Sequence, residues 1–305
     1  MAAHAQPNQT SRPRSVAQAL PPADSGVGAR RTANGEDGCA TGTPHVSPWL
    51  LNWFGRYTAH YLRSHFSHVW LAGEVPRLEG RPVIVFANHA SWWDPLVCLH
   101  LHRKCFADRP AFAPIDAKAL ARYGILGRLG FFPVEQDSRR GAVQFLRASQ
   151  AILADPDAML WLTPQGEFQD QRARPLRFKP GLSHLVGRLD AALLVPLAID
   201  YFHGVERLPE VAVRFGEPIE VASEGTRRIE SGRPPRHLGG YSSFENALEQ
   251  TQDQLAEDVM HRSTRPLSSL LSGRSGIGGI YDLWRRANAT LRGRHFEAGH
   301  GDLLK

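Results

Sequence analysis

Residues 1–46 mix Ala, Pro, Gly, Thr and Ser with almost no large apolar side chains and show no period. Such a stretch cannot offset its ordering entropy by burial, so disorder is expected there. Regular patterning starts at Ser47-Pro48, a helix-capping residue followed by proline at the position where a missing N–H costs nothing. From there Leu50, Trp53, Phe54, Tyr57 and Tyr61 recur at i, i+3, i+4, i+7 and i+11, with Asn52, Arg56 and Arg63 towards the opposite side. That spacing predicts an amphipathic helix within 47–71. Its aromatic face and basic side suit the headgroup layer of an anionic bilayer, and suit equally a helix laid over a core.

Past Pro82 the period changes. Val83 to Ala87 is an unbroken apolar run between Arg81 and Asn88, which reads as a buried strand, and a helix then starts at Asp94-Pro95. Further apolar runs at 130–134, 158–163, 193–199 and 211–215 alternate with helical stretches near 140–154 and 181–189. This alternation predicts an α/β fold, a mixed and mostly buried sheet flanked by helices, with the principal domain spanning 47–225. A Pro-, Gly- and Arg-rich linker at 226–240 breaks any regular element. Residues 241–305 then read as a helical accessory tail. It holds one helix near 242–261, with Phe244, Leu248, Leu255 and Val259 on one side, and a short helix carrying Tyr281, Leu283 and Trp284.

Composition narrows the function classes. With 305 residues and 42% hydrophobic content the chain can build one good-sized core or two small ones. Its 36 basic against 30 acidic residues, net +6, favour anionic surfaces, but no dense basic stripe or reader motif points to nucleic acid. Three cysteines, Cys39, Cys98 and Cys105, form neither a disulfide framework nor a Cys-x-x-Cys pair, as suits a reducing compartment. The 14 histidines lack carboxylates at ligand spacing, so neither a metal site nor any other cofactor is expected. No run approaches the ~20 apolar residues of a spanning helix, and no signal-peptide pattern is present. The expected place is cytoplasmic, peripheral on the inner face of a membrane, with the lipid surface as partner; nothing in the sequence sets an oligomeric state.

The densest chemistry is Asn88-His89-Ala90-Ser91-Trp92-Trp93-Asp94-Pro95. On a continuous helix, positions five apart lie about 140° from each other, so His89 and Asp94 would not meet. With His89 in the strand-to-helix turn and Asp94 at the helix start, the carboxylate folds back onto one ring nitrogen and leaves the other facing a cleft. That makes a general base, its tautomer fixed and its imidazolium stabilised by the carboxylate. The plainer alternative, Asp94 as an N-cap ahead of Pro95, accounts for Asp94 but not for the Asn-His pair at a strand end. No Gly-x-Ser-x-Gly elbow occurs, and Gly181-Leu182-Ser183-His184 fails at the fifth position. The attacking hydroxyl would then belong to the acceptor, giving direct transfer from a thioester to an alcohol. Arg139 and Arg140 open the helix near 140–154, where their charge opposes the dipole and a bound anion would relieve the conflict.

Asn88-His89-x4-Asp94 resembles the first signature block of the glycerolipid acyltransferases. Three later stretches agree in order and spacing. Gly130-Phe131-Phe132-Pro133-Val134-Glu135, followed by Arg139 and Arg140, resembles the second block. Thr163-Pro164-Gln165-Gly166-Glu167-Phe168 resembles the third, and is followed by Phe178-Lys179-Pro180-Gly181. Val195-Pro196-Leu197-Ala198-Ile199 resembles the fourth. The resemblance implies acyl transfer from acyl-CoA or acyl-carrier protein to a lipid hydroxyl, with lysophosphatidate or a related lysophospholipid as acceptor. It also implies His89 as base and Asp94 as its partner. It places Asn88, Glu135, Arg139, Arg140, Pro164, Gln165, Gly166, Glu167, Arg174 and Lys179 at the substrate. The third block departs from the pattern: Gln165 stands where Glu is usual, Glu167 where Thr is usual and Phe168 where Arg is usual. Loss of a guanidinium beside a new carboxylate disfavours a phosphate, so an unphosphorylated glycolipid or carotenoid glycoside stays open as acceptor. Arg172, Arg174, Arg177 and Lys179 lie downstream as replacements. A catalytically silent lipid-binding protein is the alternative outside enzymes.

Overall fold

The computed structural model describes residues 44, 46–78, 80–222, 242–262, 264–265 and 267–274. The disorder expected over 1–46, the linker at 226–240 and the short helix around Tyr281 to Trp284 lie almost wholly outside the described residues.

One sheet organises what is described. Its strands are β1 (His68–Ala72), β2 (Val83–Ala87), β3 (Ala111–Asp116), β4 (Phe131–Val134), β5 (Met159–Leu162), β6 (Ala191–Phe202), β7 (Glu210–Phe215), β8 (Ile219–Ala222) and β9 (Ser268–Ser272). They run in the order β4-β3-β5-β2-β6-β7-β1-β9, with β8 paired to the first half of the long β6. From β4 to β6 the pairings are parallel, so these strands end at one edge of the sheet. All residues of β2 and β5 are buried, which is why both read as unbroken apolar runs.

Helices cover both faces: α1 (Pro48–His65), α2 (Asp94–Cys105), α3 (Ala117–Arg122), α4 (Arg139–Ile152), α5 (Gly181–Val186) and α6 (Ser242–Met260). The apolar residues form two main clusters, one on each side. Leu62, Val85, Leu101 and Val213 belong to the first, Ile84, Leu160, Leu185 and Leu248 to the second.

Three expectations are revised. The first helix ends at His65, not 71, because the chain turns extended at Phe66 and residues 68–72 pair with β7 and β9. Ser47 is its N-cap but makes no side-chain cap bond; its backbone N–H donates to the Arg128 carbonyl instead. To the helix expected after the linker the structure adds β9, an edge strand antiparallel to β1.

Candidate active site

β2 delivers His89 to the edge where the parallel strands end. Asn88, the first residue past the strand, is buried and donates from Nδ2 to the Ile199 carbonyl at 2.9 Å while its Oδ1 accepts from the Ile199 N–H at 2.8 Å. The side-chain amide thus mimics one more peptide unit and prolongs the β2–β6 ladder. Both amide groups of Asn88, expected at the substrate, are used on β6, where they fix the strand end.

His89 Nδ1 lies 2.7 Å from Asp94 Oδ2. Asp94, only 1% exposed, sits in the first turn of α2 with its carboxylate turned back over the preceding loop. There it also accepts from the Ser91 N–H at 3.0 Å and from the Tyr201 hydroxyl at 2.6 Å. A carboxylate only accepts, so Nδ1 carries the proton and Nε2 is left as the basic nitrogen. Nε2 has no partner among the described residues, and the ring keeps 15% of its surface open. Burial and the adjacent Asp94 push the Tyr201 phenol well above its usual range, which keeps it a donor. Sequence reasoning missed Tyr201. No motif marks it, and its only signal is its place on β6 two residues past Ile199, the partner of Asn88.

The loop after β5 holds His89 by its backbone. Gln165 is buried, and its Oε1 accepts from the His89 N–H at 2.6 Å. The Gln169 N–H donates to the His89 carbonyl at 2.9 Å, and Gln165 Nε2 donates to Gln169 Oε1 at 2.8 Å. Gln165, expected at the substrate, thus holds the backbone of His89. The ring of Phe168, the residue in place of the usual Arg, lies tilted beside that of His89 with centroids 4.2 Å apart.

The second and third blocks meet at Lys179. Its Nζ pairs with Asp137 at 3.1 Å, its N–H donates to the Pro164 carbonyl at 2.8 Å, and its stem lies over Gly166. Gly166 has φ +68, a backbone conformation that strains any residue with a Cβ and so favours glycine. Glu135 Oε2 accepts from the Ser138 hydroxyl, which in turn caps α4 at the Gly141 N–H. Arg139, Arg140 and Glu167 are exposed. The guanidinium of Arg174 donates to the Gln171 and Ala173 carbonyls and to Asp253 on α6.

Aromatic rings lead to the site from α1. Trp53, Tyr57, Tyr61, Trp93 and Trp92 follow one another with centroid spacings of 6.2, 5.7, 5.4 and 4.0 Å. A cleft of about 340 Å³ opens between Phe66, Ser91, Trp93, Gln171, Arg172 and Tyr201. Among the described residues no three His, Cys, Asp or Glu side chains gather as a metal site would need.

A family model described as Acyltransferase matches residues 68–200, a segment that runs from β1 to the end of the fourth block and contains His89, Asp94 and Gln165. Solved structures similar to the chain include the crystal structure of the 1-acyl-sn-glycerophosphate (LPA) acyltransferase, PlsC, from Thermotoga maritima. It is 17% identical, covers 68% of this chain and 78% of that one, and has a TM-score of 0.42. No curated protein matches the sequence. Over residues 68–200, which hold the His89–Asp94 pair, this chain is thus similar to the acyltransferase family.

Proposed function

We propose that the chain moves a fatty acyl group from acyl-CoA or acyl-carrier protein to a lipid hydroxyl, with His89 as general base. The observation that carries this is the His89–Asp94 pair at 2.7 Å, built on a buried carboxylate and leaving Nε2 free. Nε2 takes the proton of the acceptor hydroxyl as its oxygen attacks the thioester carbonyl. The tetrahedral intermediate then expels the thiolate, which takes that proton back from the imidazolium and leaves as a thiol. Asp94 holds the tautomer throughout and stabilises the imidazolium. No covalent acyl-enzyme is needed.

Lysophosphatidate or a related lysophospholipid is the acceptor we favour, because Arg139 and Arg140 stand exposed at the start of α4 with Lys179 opposite, across Asp137. A specific observation supports a second reading: the Phe168 ring lies against His89 in the place of the usual Arg, and Arg174 is tied to α6. An unphosphorylated glycolipid would fit that apolar cover. The membrane contact we assign to α1, where Trp49 and Trp53 are 73% and 52% exposed beside the exposed Arg56. No described helix is long and apolar enough to cross a membrane.

The test is transfer of label from palmitoyl-CoA to lysophosphatidate, a monoacylglycerol and an alkyl glucoside offered in separate mixed micelles. Product with lysophosphatidate alone supports the phosphate acceptor, and product with the uncharged alcohols alone supports the second reading. Product with none of them contradicts acyl transfer to a lipid hydroxyl.

A further inference from the structure

Helix α6 lies outside the segment matched by the family and carries no catalytic group, yet it grips the loop that holds the base. Its apolar side, Phe244, Leu248 and Leu255, is buried on β6 and β7. The neighbouring edge carries Glu245, Glu249, Gln252 and Asp253, which the helical repeat at i, i+4, i+7 and i+8 brings to one side. All four reach the loop between β5 and α5. Glu245 Oε1 accepts from the Phe178 N–H at 2.7 Å and Glu249 Oε1 from the Leu176 N–H at 2.5 Å. Gln252 Nε2 donates to the Gln171 carbonyl at 3.2 Å, and Asp253 Oδ1 accepts from Arg174 at 3.1 Å.

This part of the loop has no helix or strand of its own, so its backbone groups depend on outside partners. Carboxylates on backbone N–H groups make the stronger, charge-assisted kind of bond. The other half of the same loop holds His89 at both its N–H and its carbonyl through Gln165 and Gln169. Between Gln165 and Gln169 lie Gly166, Glu167 and Phe168, the last with its ring 4.2 Å from that of His89. The loop is therefore stretched between α6 and His89 and set from both ends.

We infer that Glu245 and Glu249 are positioning residues of the active site, setting the acceptor loop and, through it, the backbone of His89. The inference rests on the reading of that loop as the acceptor side of an acyltransferase. It gives a role to a helix that the sequence presents only as an amphipathic accessory.

The test compares the full-length wild type, Glu245→Ala/Glu249→Ala and Glu245→Gln/Glu249→Gln. The acceptor is whichever lipid alcohol the wild type uses, and the donor is palmitoyl-CoA. Alanine removes the acceptor oxygen, whereas glutamine keeps a carbonyl that can receive the same N–H groups. The alanine pair should lower kcat/KM for the acceptor by about tenfold to a hundredfold, as a displacement of about an ångström does, with the KM for palmitoyl-CoA unchanged. The glutamine pair should recover most of the loss. Amide exchange should follow, faster at Leu176 and Phe178 in the alanine pair and slowed again in the glutamine pair. An unchanged acceptor kcat/KM, a raised KM for palmitoyl-CoA, or no rescue by glutamine would overturn the inference. If the alanine pair does not fold, Glu245→Ala alone, which removes only the Phe178 contact, carries the same test. Wild type that transfers to no acceptor refutes the proposed function instead, while amide exchange still decides whether the clamp exists.

Discussion

Asp94 gathers three donors on one buried carboxylate, and removing one of them has a calculable direction. Tyr201→Phe keeps the ring and deletes the hydroxyl that reaches Asp94 Oδ1. The carboxylate is then held by one bond fewer, and kcat should fall by about tenfold, the worth of one such bond, with thermal unfolding little changed. An unchanged kcat would mean that Tyr201 merely supports packing. Asn88→Ala acts differently, because it strands the buried N–H and carbonyl of Ile199. Chemical denaturation should show a loss of about 1–3 kcal/mol. The His89–Asp94 pairing was legible because strand end, turn and helix start leave five-residue spacing one way to close. Tyr201 was not, since its partner lies 107 positions away and a lone tyrosine in an apolar strand carries no local signal.

At the scale of elements, legibility followed burial. β2, β5 and β7 are buried almost throughout and read directly from their apolar runs. β1 was absorbed into the preceding helix, because half-buried His68 and Trp70 continue an aromatic pattern that α1 had begun. β3 carries Pro114 opposite Phe132, and β9 is mostly exposed serine on the sheet edge, so neither has a strand signature. The buried line of α1 is Leu50, Gly55, Thr58 and Leu62, one strip over from the aromatic stripe, so the helix packs on the body and leaves Trp49 and Trp53 outward. At Gly55 a Cβ would fall 2.2 Å from the Arg103 side chain, which would have to move from its bonds to Leu51 and Asn52. Trp49→Ser/Trp53→Ser should therefore leave thermal unfolding unchanged while weakening sedimentation with anionic vesicles about tenfold or more per tryptophan. Undiminished vesicle binding would remove α1 from the membrane contact.

Across the whole molecule, parallel pairing from β4 to β6 explains why four separated sequence blocks converge: each ends at or runs along the same sheet edge. Stability has its own pH dependence, set away from that edge. Burial lowers the His102 imidazole from 6.5 to about 4, and burial also lowers that of His100. A histidine with a depressed folded value binds its proton more readily when unfolded, so its contribution is complete above about pH 6.5 and is lost as pH falls towards about 4. The loss from His102 is on the order of 3 kcal/mol. Denaturation of the wild type and of His102→Leu across this window should show a shallower decline in the variant, and parallel curves would contradict the assignment. The most direct test of the central claim is the rate of acyl transfer by His89→Ala, with folding verified by thermal unfolding. The account predicts a fall in kcat of about 10²–10⁴-fold, the usual worth of a general base. Transfer at the wild-type rate by the folded variant would contradict it.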